Sequence, residues 1–289
     1  MKPAPFTYHD PKTVAEAAEM LGTLENARVL AGGQSLMPMM NFRYVMPDHI
    51  VDINNIAELA YIRQSSGALE LGALTRQRQI EFSDEVKAAC PVLSEALSYV
   101  GHRQTRNRGT IGGSLCHMDP SAEQVAVCAL MDATLTARSK SGERKINMAD
   151  FGQGFMTTAL QDGEMLTGIS LPLWPKGHGY AYEEFARRHG DFAIAASGTL
   201  VEVAGGKIKR AAIVVSGVRP NPVRLSAAEA MLAGQAPSDQ LAEAAAAEAG
   251  KIDAMEDAYV TADYRKHLGQ VMVKRALKRA FARAVEGSK

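Results

Sequence analysis

Ala27-Arg28-Val29-Leu30-Ala31-Gly32-Gly33-Gln34-Ser35 sets a buried strand directly against two glycines and two small polar residues. Adjacent glycines let a chain turn sharply and let its backbone approach a ligand, and successive N–H groups there make a concave anion site. The same chemistry recurs at Thr110-Ile111-Gly112-Gly113-Ser114. Gln34, Ser35, Thr110 and Ser114 add side-chain donors, so two such loops are expected to clamp a diphosphate from both sides. Neither stretch is a G-x-G-x-x-G opening a helix or a G-x-x-x-x-G-K-[ST], which disfavours Rossmann and P-loop folds. The anion is expected on loops, not on one helix end. A single Gly-Gly is most often just a turn; the matched flanks of two pairs favour a ligand.

Upstream, Pro11-Lys12-Thr13 opens a short helix with Val14, Ala17, Ala18 and Leu21 on one face and Gly22 as its stop. Downstream, Met37 to Arg43 reads as a helical or irregular turn, and His49 to Ile53 as a second strand in a tight β-turn-β arrangement. Leu69 to Ala73 is a third strand, and Ile80 to Val100 is mostly helical with a break at Cys90-Pro91. His102 to Arg108 reads as a basic loop, Ala122 to Leu130 as a helix, and Ala133 to Ala137 and Met165 to Leu171 as strands. The run Pro172-Leu173-Trp174-Pro175-Lys176-Gly177 marks a boundary between two domains, 1–176 and 177–289.

In the second half, strands Tyr180 to Arg187, Ala195 to Ala204 and Lys207 to Val215 come first, the last two joined by a Gly205-Gly206 hairpin turn. Helices follow at Ser226 to Leu232, Asp239 to Ala249 and Asp263 to Val285. The class is therefore α+β, ending in a three-stranded antiparallel sheet under a helical bundle. Lys266, Arg275, Lys278, Arg279 and Arg283 of the last helix read as a solvated face.

The 289 residues suit two domains. Lys plus Arg number 32 and Asp plus Glu 32, so the net charge is zero and the basic footprint of a nucleic-acid binder is missing. Cys90, Cys116 and Cys128 are an odd set with no CxxC pair, which leaves no disulfide framework and no zinc finger. They are also one short of the four thiolates that hold an iron–sulfur cluster. A reducing compartment follows. No apolar run approaches the roughly 18 residues of a membrane span, and Met1 to Phe6 lacks the apolar stretch of a signal peptide, so a cytoplasmic location is expected.

Three strings carry a resemblance: Arg28 to Leu36, Arg106-Asn107-Arg108-Gly109-Thr110-Ile111-Gly112-Gly113-Ser114-Leu115, and His117-Met118-Asp119-Pro120-Ser121-Ala122-Glu123. They resemble the FAD-binding medium subunits of the molybdenum hydroxylases, the xanthine dehydrogenase family, and are most similar to medium chains of the aerobic carbon monoxide dehydrogenase type. Met39 to Arg43, Pro47 to Ile53, Arg187 to Ala193 and Asp263 to Leu268 extend the likeness over the whole chain. The resemblance implies an N-terminal FAD domain of two α/β subdomains, of the PCMH or vanillyl-alcohol-oxidase-like type. A C-terminal antiparallel sheet with a helical bundle is implied to follow it.

By position, the resemblance implies that Val29, Leu30, Ala31, Gly32, Gly33, Gln34, Ser35 and Leu36, with Thr110, Ile111, Gly112, Gly113 and Ser114, surround the FAD diphosphate and ribityl chain. Gln34 stands where relatives often have His. Glu123 falls where they usually have Asp, a carboxylate at the sugar. Leu166 faces the adenine side through its backbone. Val100 lies beside the flavin, and Asp191-Phe192 near the isoalloxazine, where the aromatic would shield one ring face.

Other readings of single residues compete with these. Cys116-His117-x-Asp119, with His102, has metal-like spacing, but no second ligand pair exists and Pro120 follows, so no metal is expected. His117 is instead expected to donate to a phosphate or to the flavin edge. Arg103, Arg106 and Arg108 are open between phosphate binding, an acidic partner and plain solvation. Ser121-Ala122-Glu123 reads as a helix cap that is compatible with a ribose contact. Met37, Met39 and Met40 read as core or flavin packing, and Cys90 and Cys128 as buried small hydrophobes.

The function implied is an electron-transfer flavoprotein with no catalytic side chain of its own. Its FAD would take electrons from the [2Fe-2S] clusters of a small subunit and pass them to a quinone, NAD or oxygen. A large subunit would carry the molybdenum cofactor, the whole forming a dimer of heterotrimers, cytoplasmic or peripheral at the inner face of the membrane. The large subunit would set the substrate: carbon monoxide, an N-heterocycle or an aldehyde. The rival readings are a self-contained FAD oxidase or dehydrogenase, and a nucleotide-binding module without redox function.

Overall fold

The computed structural model describes residues 1–287. Its first unit is built from β1 (Thr7–His9), α1 (Val14–Leu21), β2 (Ala27–Leu30), α2 (Leu36–Asn41) and β3 (His49–Asp52). Thr13 caps α1 by accepting from the Glu16 amide, and Ala17 and Ala18 turn its small face into the core. The strands run in the order β1-β3-β2, all parallel. Parallel neighbours need a crossover, so α2 crosses between β2 and β3, and the tight β-turn-β expected from the sequence is corrected to a βαβ unit. Val51, Ile53, Ile56 and Leu59 form its core with Ala17.

The second unit runs through β4 (Ile62–Ser65), β5 (Ala68–Gly72), α3 (Gln77–Phe82), α4 (Asp84–Ala89), α5 (Pro91–Leu97), α6 (Arg103–Arg108), α7 (Ile111–His117) and α8 (Glu123–Leu130). It continues with β6 (Thr134–Ser139), β7 (Gly142–Asn147), α9 (Met148–Phe151), β8 (Gly152–Gly154), β9 (Thr157–Thr158) and β10 (Met165–Pro172). Five strands pair antiparallel in the order β4-β5-β10-β6-β7. Pro91 sits at the start of α5, where its missing N–H costs nothing, and so splits the helical run at Cys90. The basic loop expected at His102 to Arg108 is helix α6, with His102 as its N-cap.

The last unit is a sheet of β11 (Gly179–Phe185), β12 (Ala195–Ala204), β13 (Lys207–Ser216) and β14 (Val223–Arg224), all antiparallel. The two-residue β14 extends the three strands expected to four. Gly205 and Gly206 have φ of 57° and 74°, the pair of positive values that closes a two-residue hairpin. Alternate residues part to two faces. Tyr182, Ala196, Leu200 and Val214 pack into the core of the second unit with Leu130 and Leu93. Ala181, Val201, Ile213 and Val215 pack with Leu268, Val273, Leu277 and Phe281.

Helices α10 (Ser226–Leu232), α11 (Asp239–Ala246) and α12 (Ala262–Gly287) cover that second face. The cations of α12 are not simply a solvated face. Arg275 is exposed, but Arg283 donates to Glu95 at 2.8 Å and to the Tyr180 carbonyl at 2.6 Å, and Arg279 pairs with Glu95 at 3.1 Å and with Glu183. Glu95 lies on α5, so these ion pairs fasten the last helix to the second unit. Among the described residues no helix is long and apolar enough to cross a membrane.

Candidate functional site: a cradle of two glycine segments

Past the end of β2 the chain turns at Gly33, whose φ of +70° is the left-handed region that glycine enters freely. Among the described residues, the amides of Gly33, Gln34 and Ser35 donate to no protein acceptor. Ser35 precedes α2 without capping it, and the Gln34 side-chain amide folds back on the Gly32 carbonyl at 3.1 Å. Three successive unpaired N–H groups on a glycine turn are the anion cradle that the sequence suggests.

The second pair is built differently. Gly112 and Gly113 lie in the first turn of α7, not on a loop, and most of the amides there are already used. Thr110 caps the helix by accepting from the Gly113 N–H at 3.0 Å. The amides of Ile111 and Gly112 donate to the carbonyls of Thr75 and Ala73 at 3.2 and 2.9 Å, and that of Ser114 to Thr110 at 3.1 Å. This corrects the expectation of two equivalent amide-bearing loops. A capping threonine three residues before Gly113 makes the stretch a helix start. Its glycines serve close approach: a β-carbon on Gly112 would stand 2.6 Å from that of Ala73, whereas one on Gly113 would meet only the Thr110 hydroxyl.

The two segments meet. A β-carbon on Gly32 would collide with the Arg108 carbonyl oxygen and stand 2.8 Å from the Gly109 α-carbon. Two residues that sequence reasoning missed hold them together. Asn54 donates to the Ala31 carbonyl at 2.7 Å, and its own side-chain oxygen accepts from Arg76 at 2.6 Å. The other guanidinium nitrogen of Arg76 donates to the Arg108 carbonyl at 2.5 Å. Burial lowers the pKa of Arg76, the charge of Arg108 adds to this, and Asp52 opposes it.

Val29, Leu30, Ala31 and Leu36 flank the first turn, with Val29 and Ala31 packed on the core of the first unit. Leu166 lies on β10 and is buried, 3 % exposed. Val100 is buried and its carbonyl accepts from Arg106 at 2.8 Å. A second close approach lies beside it: a β-carbon on Gly190 would lie 2.9 Å from the Gly101 carbonyl, so the turn that leads into Asp191 and Phe192 rests on the residue after Val100. Asp191 faces Arg188 at 3.4 Å, and Phe192 is 76 % exposed. Arg106 itself is committed to Glu81 at 2.9 Å, which takes it out of the open basic set and leaves Arg103 and Arg108 exposed.

His117, half-buried, has its pKa lowered by burial, with Asp119 opposing. Glu123 heads α8 and is only 9 % exposed. Burial, then Glu184, push its carboxyl up to about 8; Asp119 adds a little and Arg106 opposes. Ser121 does not cap α8; Ala122 holds that position, and the Ser121 hydroxyl donates to the Ala193 carbonyl at 2.8 Å. Burial pushes the Cys90 thiol up to about 12. Among the described residues no three His, Cys, Asp or Glu side chains gather as a metal site.

Two family models match the chain in order. Residues 4–174 match the FAD binding domain in molybdopterin dehydrogenase, and residues 180–280 the CO dehydrogenase flavoprotein C-terminal domain. The chain is 39% identical to the 6-hydroxypseudooxynicotine dehydrogenase complex subunit alpha of Paenarthrobacter nicotinovorans, over 98% of this chain and 97% of that one. It is 36% identical to the carbon monoxide dehydrogenase medium chain of Hydrogenophaga pseudoflava, over 98% and 99%. A solved structure of carbon monoxide dehydrogenase from Hydrogenophaga pseudoflava superposes with a TM-score of 0.95 at 38% identity, covering 98% of this chain and 99% of that one.

Proposed function

The chain belongs to the FAD-binding medium subunits of the molybdenum hydroxylase family, and on that premise we propose that it holds FAD between two glycine segments and relays electrons through it. The source would be the [2Fe-2S] clusters of a small subunit and the sink an external acceptor, with the molybdenum cofactor on a large subunit. The observation that carries this reading is the meeting of the Gly32-Gly33 turn, with its three unpaired amides, and the Arg108 to Gly113 segment.

The residues fit the group. The amides of Gly33, Gln34 and Ser35 would hold the diphosphate, which needs donors and no competing carboxylate. Asn54 and Arg76 hold the two segments at a fixed spacing, so the cradle exists before the cofactor enters it. The open side of Gly113 leaves room along α7 for the ribityl chain. Beside Val100, Phe192 would lie over one face of the ring. When bound, FAD supplies the redox chemistry, accepting electrons singly and releasing them in pairs. The chain's three cysteines fall short of a cluster's four thiolates, so the relay needs a partner.

The substrate is then set elsewhere. Relatives named for carbon monoxide and for 6-hydroxypseudooxynicotine match this chain about equally, so the choice would lie with the large subunit. The test is to purify the chain alone. A yellow protein that releases FAD on denaturation, yet turns over no organic substrate until the partner subunits are added, is expected. A colourless protein, or one that oxidises such a substrate unaided, would overturn the reading.

A further inference from the structure

Two stretches far apart in sequence meet in the last unit: the turn that joins β11 to β12, which carries Phe192, and the start of α12. Arg265 of α12 is only 5 % exposed. Its Nη1 donates to the Ile194 carbonyl at 2.9 Å and to the Gly217 carbonyl at 2.7 Å, and its Nη2 to Asp257 at 2.5 Å. The Ala193 carbonyl, one residue earlier, accepts from the Ser121 hydroxyl at 2.8 Å. Gly217 closes on the same two carbonyls, since a β-carbon there would stand 3.0 Å from the Ile194 oxygen and 3.1 Å from the Ala193 oxygen. On the other side of Phe192, the Asp191 amide donates to the Arg188 carbonyl at 3.1 Å. The backbone is thus held on both sides of an aromatic ring that is itself largely exposed.

We propose that Arg265, together with Ser121, fixes the two carbonyls that follow Phe192 and so holds the Phe192 ring against the flavin. Arg265 is thereby a positioning residue of the cofactor site, although it lies on the last helix. The inference rests on the reading of the cradle as an FAD site and of Phe192 as the cover of its ring.

Helix α6 sets how far this turn stands from the cradle. A β-carbon on Gly190 would lie 3.0 Å from the ring of His102, the N-cap of α6, and one on Gly32 would lie 2.8 Å from the α-carbon of Gly109, its C-cap. The six residues of α6 span about 9 Å, so one short helix separates the turn that leads into Phe192 from the glycines. The ribityl chain between an FAD diphosphate and its ring covers a span of that order. A guanidinium suits the task. Burying a charge merely to fasten a helix is often no better than apolar packing. Arg is used where one planar group has to keep several acceptors at set angles. Here the acceptors belong to three segments: the Phe192 turn, the residue after β13 and the loop before α12. That loop reaches the turn a second time, where Arg187 lies over the ring of Tyr259 at 4.8 Å. The Tyr259 amide donates to Asp257 at 2.8 Å, so both contacts return to one carboxylate.

Iodide quenching of flavin fluorescence in the FAD-loaded chain tests this, because the quencher reaches a covered ring only when the cover lifts. Phe192→Ala is expected to raise the quenching constant severalfold. Arg265→Lys keeps the charge, so the attraction for iodide is unchanged, but one ammonium nitrogen replaces the two that reach the carboxylate and the carbonyls. Losing one net hydrogen bond shifts the population of the lifted turn by about fivefold, and quenching is expected to rise with it. In the double variant, Arg265→Lys with Phe192→Ala, quenching is expected to match that of Phe192→Ala alone. A fastening that served only the fold would leave the ring covered in every molecule that still binds FAD. Ser121→Ala removes the other anchor by a milder change and is expected to act in the same way, so it carries the test if Arg265→Lys does not fold. Wild-type quenching in Arg265→Lys, or in Ser121→Ala where the first variant does not fold, would overturn the proposal. So would a further rise in the double variant, or no change in Phe192→Ala. A wild-type chain that binds no FAD would overturn the cradle reading with it.

Discussion

The α-carbon of Gly32 is pressed against the Arg108 carbonyl so closely that no side chain fits between them. Gly32→Ala must therefore push the first turn away from α6 and α7. Such overpacking against backbone costs about 1 to 3 kcal/mol, and here it also opens the cradle. The expected result is a lower melting temperature together with loss of most FAD from the purified protein. Gly113→Ala gives the comparison in stability: its new β-carbon crowds only the Thr110 hydroxyl that caps α7, 2.8 Å away, and not the backbone of another segment. It should lose less stability than Gly32→Ala. FAD retained at full occupancy in Gly32→Ala would show that the spacing of the two segments does not matter.

Arg76 bridges the same segments by hydrogen bonds, through Asn54 on one side and the Arg108 carbonyl on the other. Arg76→Ala leaves both acceptors unpaired, at a cost of about 1 to 3 kcal/mol. FAD affinity should fall by about tenfold or more as the cradle loosens, because 1.4 kcal/mol is tenfold. Arg76→Lys keeps the charge but cannot span two acceptors with a planar fork, so it should recover little of the affinity. Full recovery by Lys would mean that charge, and not the bridge, is what Arg76 provides.

How far the site is legible in the sequence follows from what each residue depends on. The glycine turn can be read because the left-handed φ of Gly33 and the contact at Gly32 are things only glycine tolerates. The strands of the last sheet can be read because they alternate between two buried faces. Helix α6 cannot, since Arg103-Gln104-Thr105-Arg106-Asn107-Arg108 has no apolar face to give it a period. Strand β7 fails for the same reason: it is an edge strand whose residues are largely polar. The parallel direction of β2 and β3 is invisible because side-chain alternation does not encode it. Asn54 and Arg76 act on carbonyls far away in sequence, and carbonyls carry no residue signature at all.

Glu95 is the fastening of the last helix to the second unit. It accepts from the Tyr182 amide and from Arg283, both at 2.8 Å, and pairs with Arg279 at 3.1 Å. Glu95→Ala leaves a buried strand amide and two half-buried cations without that partner. A loss of about 2 to 4 kcal/mol in unfolding free energy is expected, near the range for breaking a buried ion pair but discounted for the partly exposed arginines. Glu95→Gln should lose less, because it still accepts from the Tyr182 amide. Denaturant titration of the three proteins separates these outcomes, and equal losses in both variants would assign the whole effect to charge.

Glu123 on α8 and Glu184 on β11, both raised mainly by burial, make the stability of the chain depend on pH. Free glutamate ionises near pH 4.3, whereas burial pushes these two up to about 8 and about 7. Between those limits the folded chain holds more protons than the unfolded one, so raising the pH lowers stability. The contribution of the pair is complete below about pH 4.3, is lost progressively up to about pH 8, and is constant beyond. Glu184→Gln removes one of the two groups and should flatten that slope. Its unfolding free energy is expected to match wild type near pH 5 and to exceed it by about 1 to 3 kcal/mol at pH 8. Denaturant melts of both proteins at pH 5, 6, 7 and 8 measure this, and curves that stay parallel would mean that neither carboxyl holds its proton in the folded chain.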